Sequence, residues 1–324
     1  MLSRRKLLGT TLGAATSFYA CAGRDPALAQ PNRRPKQLVL VHGRNQQGSA
    51  TEIKAEWVAA LRAGARKIGR DLPGDVNIDM AYYGDALDRF AKQLDVPVAS
   101  DIKARGNPGD NELLVFQAQI AEQLRVKAKI TDDQVNAEYG PSDKPRGPLN
   151  WEWVQAILRA LDKYGPGVSK RTIETFTRDV FLYVTRSTVQ DEIDRIVAAH
   201  LTDAPMVIVG HSLGSVVAYH VLRNDHRALD VPLFVTLGSP LAIRAVREQF
   251  IPLRNPAPPI GAWFNAFDPR DTIALFPLDQ DNFPVTPAIE NYGGVNNETD
   301  NRHGVSGYLD DPEVARKILD ALTG

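Results

Sequence analysis

The chain has 324 residues, a formal net charge of −1 and 43% hydrophobic residues. Nothing in this composition indicates a nucleic-acid-binding surface, which would need a basic stripe, and no apolar run reaches the roughly 18 residues of a membrane-spanning helix. The length is sufficient for one large α/β domain.

The N-terminal residues 1–29 have the pattern of an export signal. A twin-arginine start at residues 4–5 precedes a weakly apolar stretch over 7–22, and Ala27-Leu28-Ala29 matches an A-x-A cleavage site. We therefore expect recognition by the twin-arginine export machinery, a periplasmic or secreted protein, and a folded domain over 30–324.

The single cysteine of the chain, Cys21, lies inside this signal. Cleavage after Ala29 would leave a protein without a thiol, which suits an oxidising compartment. The alternative is that Cys21 is a lipid-attachment site and that the protein is an anchored lipoprotein.

Apolar runs and helical patterns alternate along the rest of the chain. Strands are predicted over residues 37–41, 76–83, 206–210, 231–237 and 262–267. Helices are predicted over residues 51–68, 189–200, 213–224, 241–250 and 312–322, with a long loop over 268–307. This alternation predicts an α/β fold with a mostly parallel, doubly wound sheet.

Residues 85–187 lack strand-like alternation. They contain amphipathic segments over 113–129, 151–164 and 173–185, interrupted by a Pro/Gly-rich stretch at 139–148. This pattern predicts a helical insertion, which either covers the sheet as a cap or supplies ordinary packing helices. Four aromatic residues of the insertion and one from the late loop either line a substrate cavity or pack in the core. They are Trp151, Trp153, Phe176 and Tyr183 in the insertion and Phe276 in the loop.

The most informative motif is Gly-His-Ser-Leu-Gly at residues 210–214, between a predicted strand and a predicted helix. A G-x-S-x-G in this context is typical of a nucleophile elbow, a sharp turn that raises the serine hydroxyl above the sheet. Side chains in place of the flanking glycines would collide with neighbouring backbone. Ser212 is therefore the candidate nucleophile.

A serine nucleophile needs a general base, and the base needs an acid that holds its tautomer. The elbow motif places both downstream, in the order serine, acid, histidine. Of the six histidines, only His303 follows in a late loop before the last helix. His303 is therefore the candidate base.

Two aspartates could serve as the acid, because both follow the strand predicted over 262–267. Asp271 precedes a Thr-Ile-Ala segment and fits the expected position of the acid better. Asp268 precedes Pro269 and has the character of a turn-starting residue. We favour Asp271 and keep Asp268 as the alternative.

An oxyanion that develops on the substrate would need hydrogen-bond donors. The backbone N–H of Leu213, directly after the nucleophile, supplies one. The second is expected from the loop after the first strand, where the N–H of Arg44 is the best candidate.

Together, the His42-Gly43 loop, the elbow at 210–214, the Asp271 turn and the late His303 resemble the α/β-hydrolase superfamily, and most closely its lipase- and esterase-like members. The resemblance implies a Ser-Asp-His triad and no cofactor. The chain departs from the common form because it lacks the first strands and carries its insertion before the elbow.

The leading hypothesis is a serine hydrolase that cleaves carboxylic esters through an acyl-enzyme, acting on a small-molecule or lipid-like ester. Lipase, thioesterase, amidase or acyltransferase chemistry on the same triad is the alternative, and a non-catalytic binding protein of the same fold is a further one. No cluster of residues has metal-ligand spacing, so no metal is expected.

Overall fold

The computed structural model describes residues 37–43, 48–96, 108–141, 146–147, 150–165, 170–256, 260–274 and 276–324. The predicted export signal, Cys21 and Arg44 lie outside these ranges. No helix in them is long and apolar enough to cross a membrane.

The strands within these ranges form one six-stranded sheet in which every pair is parallel, in the order β2-β1-β3-β4-β5-β6. Their bounds are β1 (Gln37–Val41), β2 (Asn77–Ala81), β3 (Met206–His211), β4 (Val231–Leu237), β5 (Ile260–Ala266) and β6 (Glu290–Tyr292). The α/β class and the parallel sheet predicted from the sequence are confirmed.

Helices flank the sheet on both faces. Their bounds are α1 (Ala50–Lys67), α2 (Gly84–Gln93), α3 (Pro108–Lys127), α4 (Asp132–Tyr139), α5 (Trp151–Tyr164), α6 (Lys170–Thr185), α7 (Ser187–Ala198), α8 (Leu213–Asn224), α9 (Arg244–Arg247), α10 (Val305–Leu309) and α11 (Pro312–Thr323). The insertion is helical, as its amphipathic segments predict.

The central strands are apolar on both sides because helices cover both faces of a parallel sheet. Alternate residues of a strand point to opposite faces. Leu38 and Leu40 pack in a layer with Trp57 of α1 and with α11. Val39 and Val41 pack in the other layer with the insertion helices and α8. The insertion helices therefore form part of the hydrophobic core.

Two expectations about secondary structure were wrong, and the short helix α4 had not been expected. The stretch 268–307 is not one long loop, because it contains β6 and the start of α10. The helix expected over 241–250 is only the short α9 followed by a 3₁₀ turn over Glu248–Phe250. Helix α4 was not expected, since its sequence is polar and it buries a single residue, Val135.

The strand order reverses at β1, which is the topological switch point of the sheet. The chain runs from β1 outward to β2 and then returns to the other side of β1 with β3. In open parallel sheets, ligands bind at such a reversal, beyond the carboxyl ends of the strands. The segments after β1, β3, β4 and β5 all meet at this edge.

Candidate active site

A sharp turn connects β3 to α8 and is centred on Ser212. The backbone of Ser212 has φ 52° and ψ −128°, a conformation that non-glycine residues adopt at a cost of about 1–3 kcal/mol. Three bonds hold it: its N–H donates to the Leu237 carbonyl at 3.0 Å, and its carbonyl accepts from the N–H and the hydroxyl of Ser215 at 3.0 and 2.6 Å. The geometry is that of a nucleophile elbow.

The elbow packs directly against the loop after β1, and two glycines allow this approach. A Cβ on Gly214 would lie 2.2 Å from the Val41 carbonyl oxygen. A Cβ on Gly43 would lie 2.7 Å from Cβ of Ser212. Side chains at either position would push the two segments apart.

Ser212, His303 and Asp271 form one hydrogen-bonded chain. His303 Nε2 lies 2.8 Å from Ser212 Oγ, and His303 Nδ1 lies 2.6 Å from Asp271 Oδ2. All three residues are buried, with Ser212 only 2% exposed. A proton on Nδ1 is held by the carboxylate, which leaves Nε2 as an acceptor for the serine proton.

Asp271 is fully buried, and several hydrogen-bond donors surround its carboxylate. Besides His303, its carboxylate accepts from the hydroxyl of Tyr308 at 2.6 Å and from the N–H of Ile273 at 2.8 Å. Burial, together with the negative charge of Asp271, raises the pKa of Tyr308 well above its ordinary value. Tyr308 therefore stays protonated and serves as a donor.

Asp268, the alternative acid, has its partners elsewhere. Its carboxylate accepts from the guanidinium and the N–H of Arg270 and from the N–H of Asn297 at 2.9 Å. Burial acts to raise the pKa of Asp268, but these hydrogen bonds outweigh it and the pKa is lowered. Asp268 thus joins two loops beside the site, while Asp271 is the aspartate bonded to His303.

His211, next to the nucleophile, supports the loop that carries His303. Its Nε2–H donates to the backbone carbonyl of His303 at 2.8 Å, and the two rings lie 4.9 Å apart. Burial, followed by the charge of His303, lowers the pKa of His211 well below its ordinary value. His211 is therefore neutral and donates from Nε2.

The remaining histidines are engaged away from Ser212 or exposed. His42 accepts from the N–H of Tyr83 at 3.0 Å. His200 and His220 lie 2.6 and 2.7 Å from Asp79 and Asp194, respectively, and His226 is exposed.

Of the two expected oxyanion donors, only Leu213 is described. It is the first residue of α8, so its N–H has no acceptor within the helix, and the positive end of the helix dipole lies at this point. Arg44, the other expected donor, lies outside the described residues.

Tyr308 and His211 are contacts of the site that sequence reasoning did not identify. His211 is part of the elbow motif, yet the motif predicts no partner for its ring. Tyr308 lies five residues after His303, and only the need of a buried carboxylate for further donors could have suggested it.

No group of three or more His, Cys, Asp or Glu residues in the described part of the chain is arranged to hold a metal ion.

Comparison with known families gives one match. Residues 148–249 match the model of the class 3 lipase family, a segment that runs from α5 through the elbow to the 3₁₀ turn after α9. No curated protein matches the chain. The match supports a lipase- or esterase-type hydrolase. Both the family match and the parallel sheet are consistent with the lipase-like α/β hydrolases, which this chain resembles.

Proposed function

We propose that the protein is a serine hydrolase that cleaves carboxylic esters through an acyl-enzyme. The observation that carries the proposal is the bonded chain from Ser212 Oγ to His303 Nε2 and from His303 Nδ1 to Asp271. The class 3 lipase match favours a lipid-like ester as the substrate.

In the first half-reaction, His303 Nε2 accepts the proton of Ser212 as Oγ attacks the ester carbonyl carbon. The N–H of Leu213, and that of Arg44 in this proposal, stabilise the negative oxygen. Each such donor contributes about 2.7–4 kcal/mol in comparable sites. The intermediate collapses when His303 returns the proton to the leaving alcohol.

In the second half-reaction, His303 removes a proton from water, and the hydroxide attacks the acyl-Ser212 ester. Collapse releases the carboxylic acid, and the proton on His303 returns to Ser212 Oγ. Asp271 stabilises the protonated imidazole in both steps and holds its orientation. Tyr308 and His211 act as positioning residues, since one fixes the carboxylate and the other fixes the histidine loop.

The test is active-site labelling combined with substrate profiling. A fluorophosphonate probe should label wild-type protein at Ser212, and aryl esters of increasing acyl length should be hydrolysed. The Ser212→Ala variant should lose both. Hydrolysis that persists in Ser212→Ala, or wild-type protein that neither reacts with the probe nor cleaves any ester, would contradict the proposal. Longer acyl chains should be preferred if the lipase-like form of the proposal is correct.

We also propose that the protein is exported with residues 1–29 removed. The twin-arginine start and the A-x-A site support this. Mass spectrometry of the mature N-terminus distinguishes the outcomes: a chain that starts near Gln30 supports cleavage, and a lipid on Cys21 supports the lipoprotein alternative.

A further inference from the structure

A cavity of about 720 Å³ lies between α3, α5 and α9. This volume is in the range of pockets that enclose small organic ligands, about 300–1,000 Å³. Ser212, Asp271 and His303 do not line it, so the cavity is not the immediate surroundings of the bonded chain of the site.

The walls of this cavity are mainly apolar. Trp153 and Ile157 of α5 face it together with Phe276 and Ala245, and Val126 at its rim is 63% exposed. An exposed large aliphatic residue beside an aromatic-lined space indicates a surface that gains free energy when an apolar chain covers it.

Two cations at the rim lie over aromatic rings. Lys127 Nζ is 5.2 Å from the ring centre of Phe276, and the guanidinium of Arg146 is 5.6 Å from that of Trp153. Among the residues that the structure describes, neither cation has a carboxylate within ion-pair distance. A cation–π contact attracts the charge without neutralising it.

The other charged side chains that line the cavity form ion pairs. Arg125 binds Glu122 and Asp132, and Arg244 binds Glu248. Glu122 is the only carboxylate among the lining residues, and its bond to Arg125 removes it as a partner for Lys127. The rim therefore has an excess of positive charge carried by Lys127 and Arg146.

The cavity is near the site along the chain. Phe276 comes five residues after Asp271, which limits the distance between their Cα atoms to about 18 Å even for an extended segment. The N–H of Arg244 donates to Gln123 at 2.8 Å, which ties α9 to α3. The hydroxyl of Ser239, five residues before Arg244, lies 2.7 Å from that of Ser215 in the elbow helix.

From these observations we infer that the cavity binds a single-chain anionic amphiphile, with the apolar chain between α3 and α5 and a carboxylate or phosphate head between Lys127 and Arg146. This inference rests on the proposed function where it names the substrate class: esters of such amphiphiles, or the fatty carboxylate that their hydrolysis releases. The binding itself needs no turnover.

The experiment measures binding to the Ser212→Ala protein by calorimetry, with dodecanoate, dodecyl phosphate, dodecanol and dodecyltrimethylammonium below their micelle-forming concentrations. Both anions should bind about tenfold more tightly than the neutral and cationic compounds, because two exposed ion pairs together give about this factor. The preference should weaken as salt is added. The tighter of the two anions identifies the head group.

Two variants, each on the Ser212→Ala background, test the assignment. The double substitution Lys127→Gln/Arg146→Gln should remove the preference for anions and leave dodecanol binding unchanged. The matched control Arg62→Gln/Lys92→Gln, at exposed positions outside the cavity, should preserve the preference for anions. Gly147 lines the cavity, and a Cβ there would meet no atom within 4 Å. Gly147→Phe should therefore block all four compounds without loss of folding.

Equal binding of all four compounds, or an anion preference that survives the Lys127/Arg146 substitution, would overturn the inference. Failure of the proposed function is distinguishable from this result. If wild-type protein hydrolyses no ester but the Ser212→Ala protein still selects anions, only the catalytic proposal fails. If esters are hydrolysed while no anion preference is found, only the cavity assignment fails.

Discussion

The hydrogen bond from Tyr308 to Asp271 provides a sharp test of how the site is held together. Tyr308→Phe removes one hydroxyl and keeps the ring, which packs 5.8 Å from that of His211. The lost bond is short, 2.6 Å, and its acceptor is a fully buried carboxylate. Hydrogen bonds to charged groups contribute about 1.5–3 kcal/mol, so we expect the free energy of unfolding to fall by about this amount.

The same substitution should change the pH dependence of activity. Without the tyrosine hydroxyl, more of the negative charge of Asp271 is available to the imidazole, which favours protonated His303. The proposed reaction needs neutral His303, so the acidic limb of the kcat/KM profile should move to higher pH.

Urea denaturation and ester hydrolysis from pH 5 to 9 measure both effects. Tyr82→Phe is the matched control, because the Tyr82 hydroxyl also bonds to an aspartate, Asp85 at 3.2 Å, but this bond is exposed to solvent. The control should change the free energy of unfolding by less than about 0.5 kcal/mol. If Tyr308→Phe is no more destabilising than this control, or if its acidic limb moves to lower pH, the argument for charge sharing at Asp271 is refuted.

Three further predictions concern other contacts of the site. Asp271→Asn should lower kcat by about 10⁴-fold in ester hydrolysis, as loss of the triad acid does elsewhere, whereas Asp268→Asn should mainly lower the melting temperature, because it loosens the ties to Arg270 and Asn297. Gly214→Ala should prevent stable folding, since its Cβ would lie 2.2 Å from a carbonyl oxygen of β1, while Gly74→Ala, in open space, should melt like the wild type. His211 is kept neutral in the folded protein, so unfolding should take up a proton below about pH 6.5. The free energy of unfolding should therefore fall by up to about 1.4 kcal/mol for each pH unit of acidification. The His211→Asn variant should lack this contribution.

Opposite results would count against these arguments. A larger loss of kcat in Asp268→Asn than in Asp271→Asn would exchange the roles of the two aspartates. A stable Gly214→Ala protein would mean that the elbow does not pack on β1 as described. An acid dependence of unfolding that is the same in His211→Asn and the wild type would assign it to other groups.

The sheet could be predicted from the sequence where burial dominates. The apolar runs at 37–41 and 231–237 became β1 and β4 with the same bounds, because strands covered on both faces leave a continuous hydrophobic signal. Strand β6 gave no such signal. It is three residues long, polar and half exposed, and it exists because its backbone pairs with β5.

Short helices were missed for a related reason. Helix α10 has five residues and no side-chain cap, which is too short to be stable by itself. It is held by packing, since Tyr308 and Leu309 are buried in the layer formed with α1 and α11. Contacts of this kind depend on which segments the fold brings together, and sequence periodicity does not contain that information.

The candidate site was more predictable than its supports. Chain order and elimination led to Ser212, His303 and two aspartates, of which Asp271 was favoured. The structure brings the side chains of Ser212, His303 and Asp271 together. The donors from Tyr308 and His211 come from residues whose positions depend on the packed loops. Trp153 and Phe276 were named from the sequence as residues that either line a cavity or pack in the core, and both line the cavity at α3, α5 and α9. The position of that cavity could not be predicted, because its walls are joined only by tertiary contact.

The two aspartates in the turn after β5 differ in the partners of their second carboxylate oxygen. The N–H of Asp271 donates to the carbonyl of Asp268 at 2.9 Å, which closes a turn with Pro269 at its second position. The side chain of Asp268 accepts from the N–H of Arg270 at 2.8 Å, the Asx bond that an aspartate at the start of a turn commonly forms. That bond commits Oδ1 of Asp268 to its own backbone, and Oδ2 accepts from the guanidinium of Arg270 and the N–H of Asn297. Asp271 forms the same local bond with the N–H of Ile273 at 2.8 Å, but its other oxygen, Oδ2, accepts from Tyr308 and lies 2.6 Å from His303 Nδ1. The two aspartates thus share the local turn bond, and their separate roles follow from what the second carboxylate oxygen contacts.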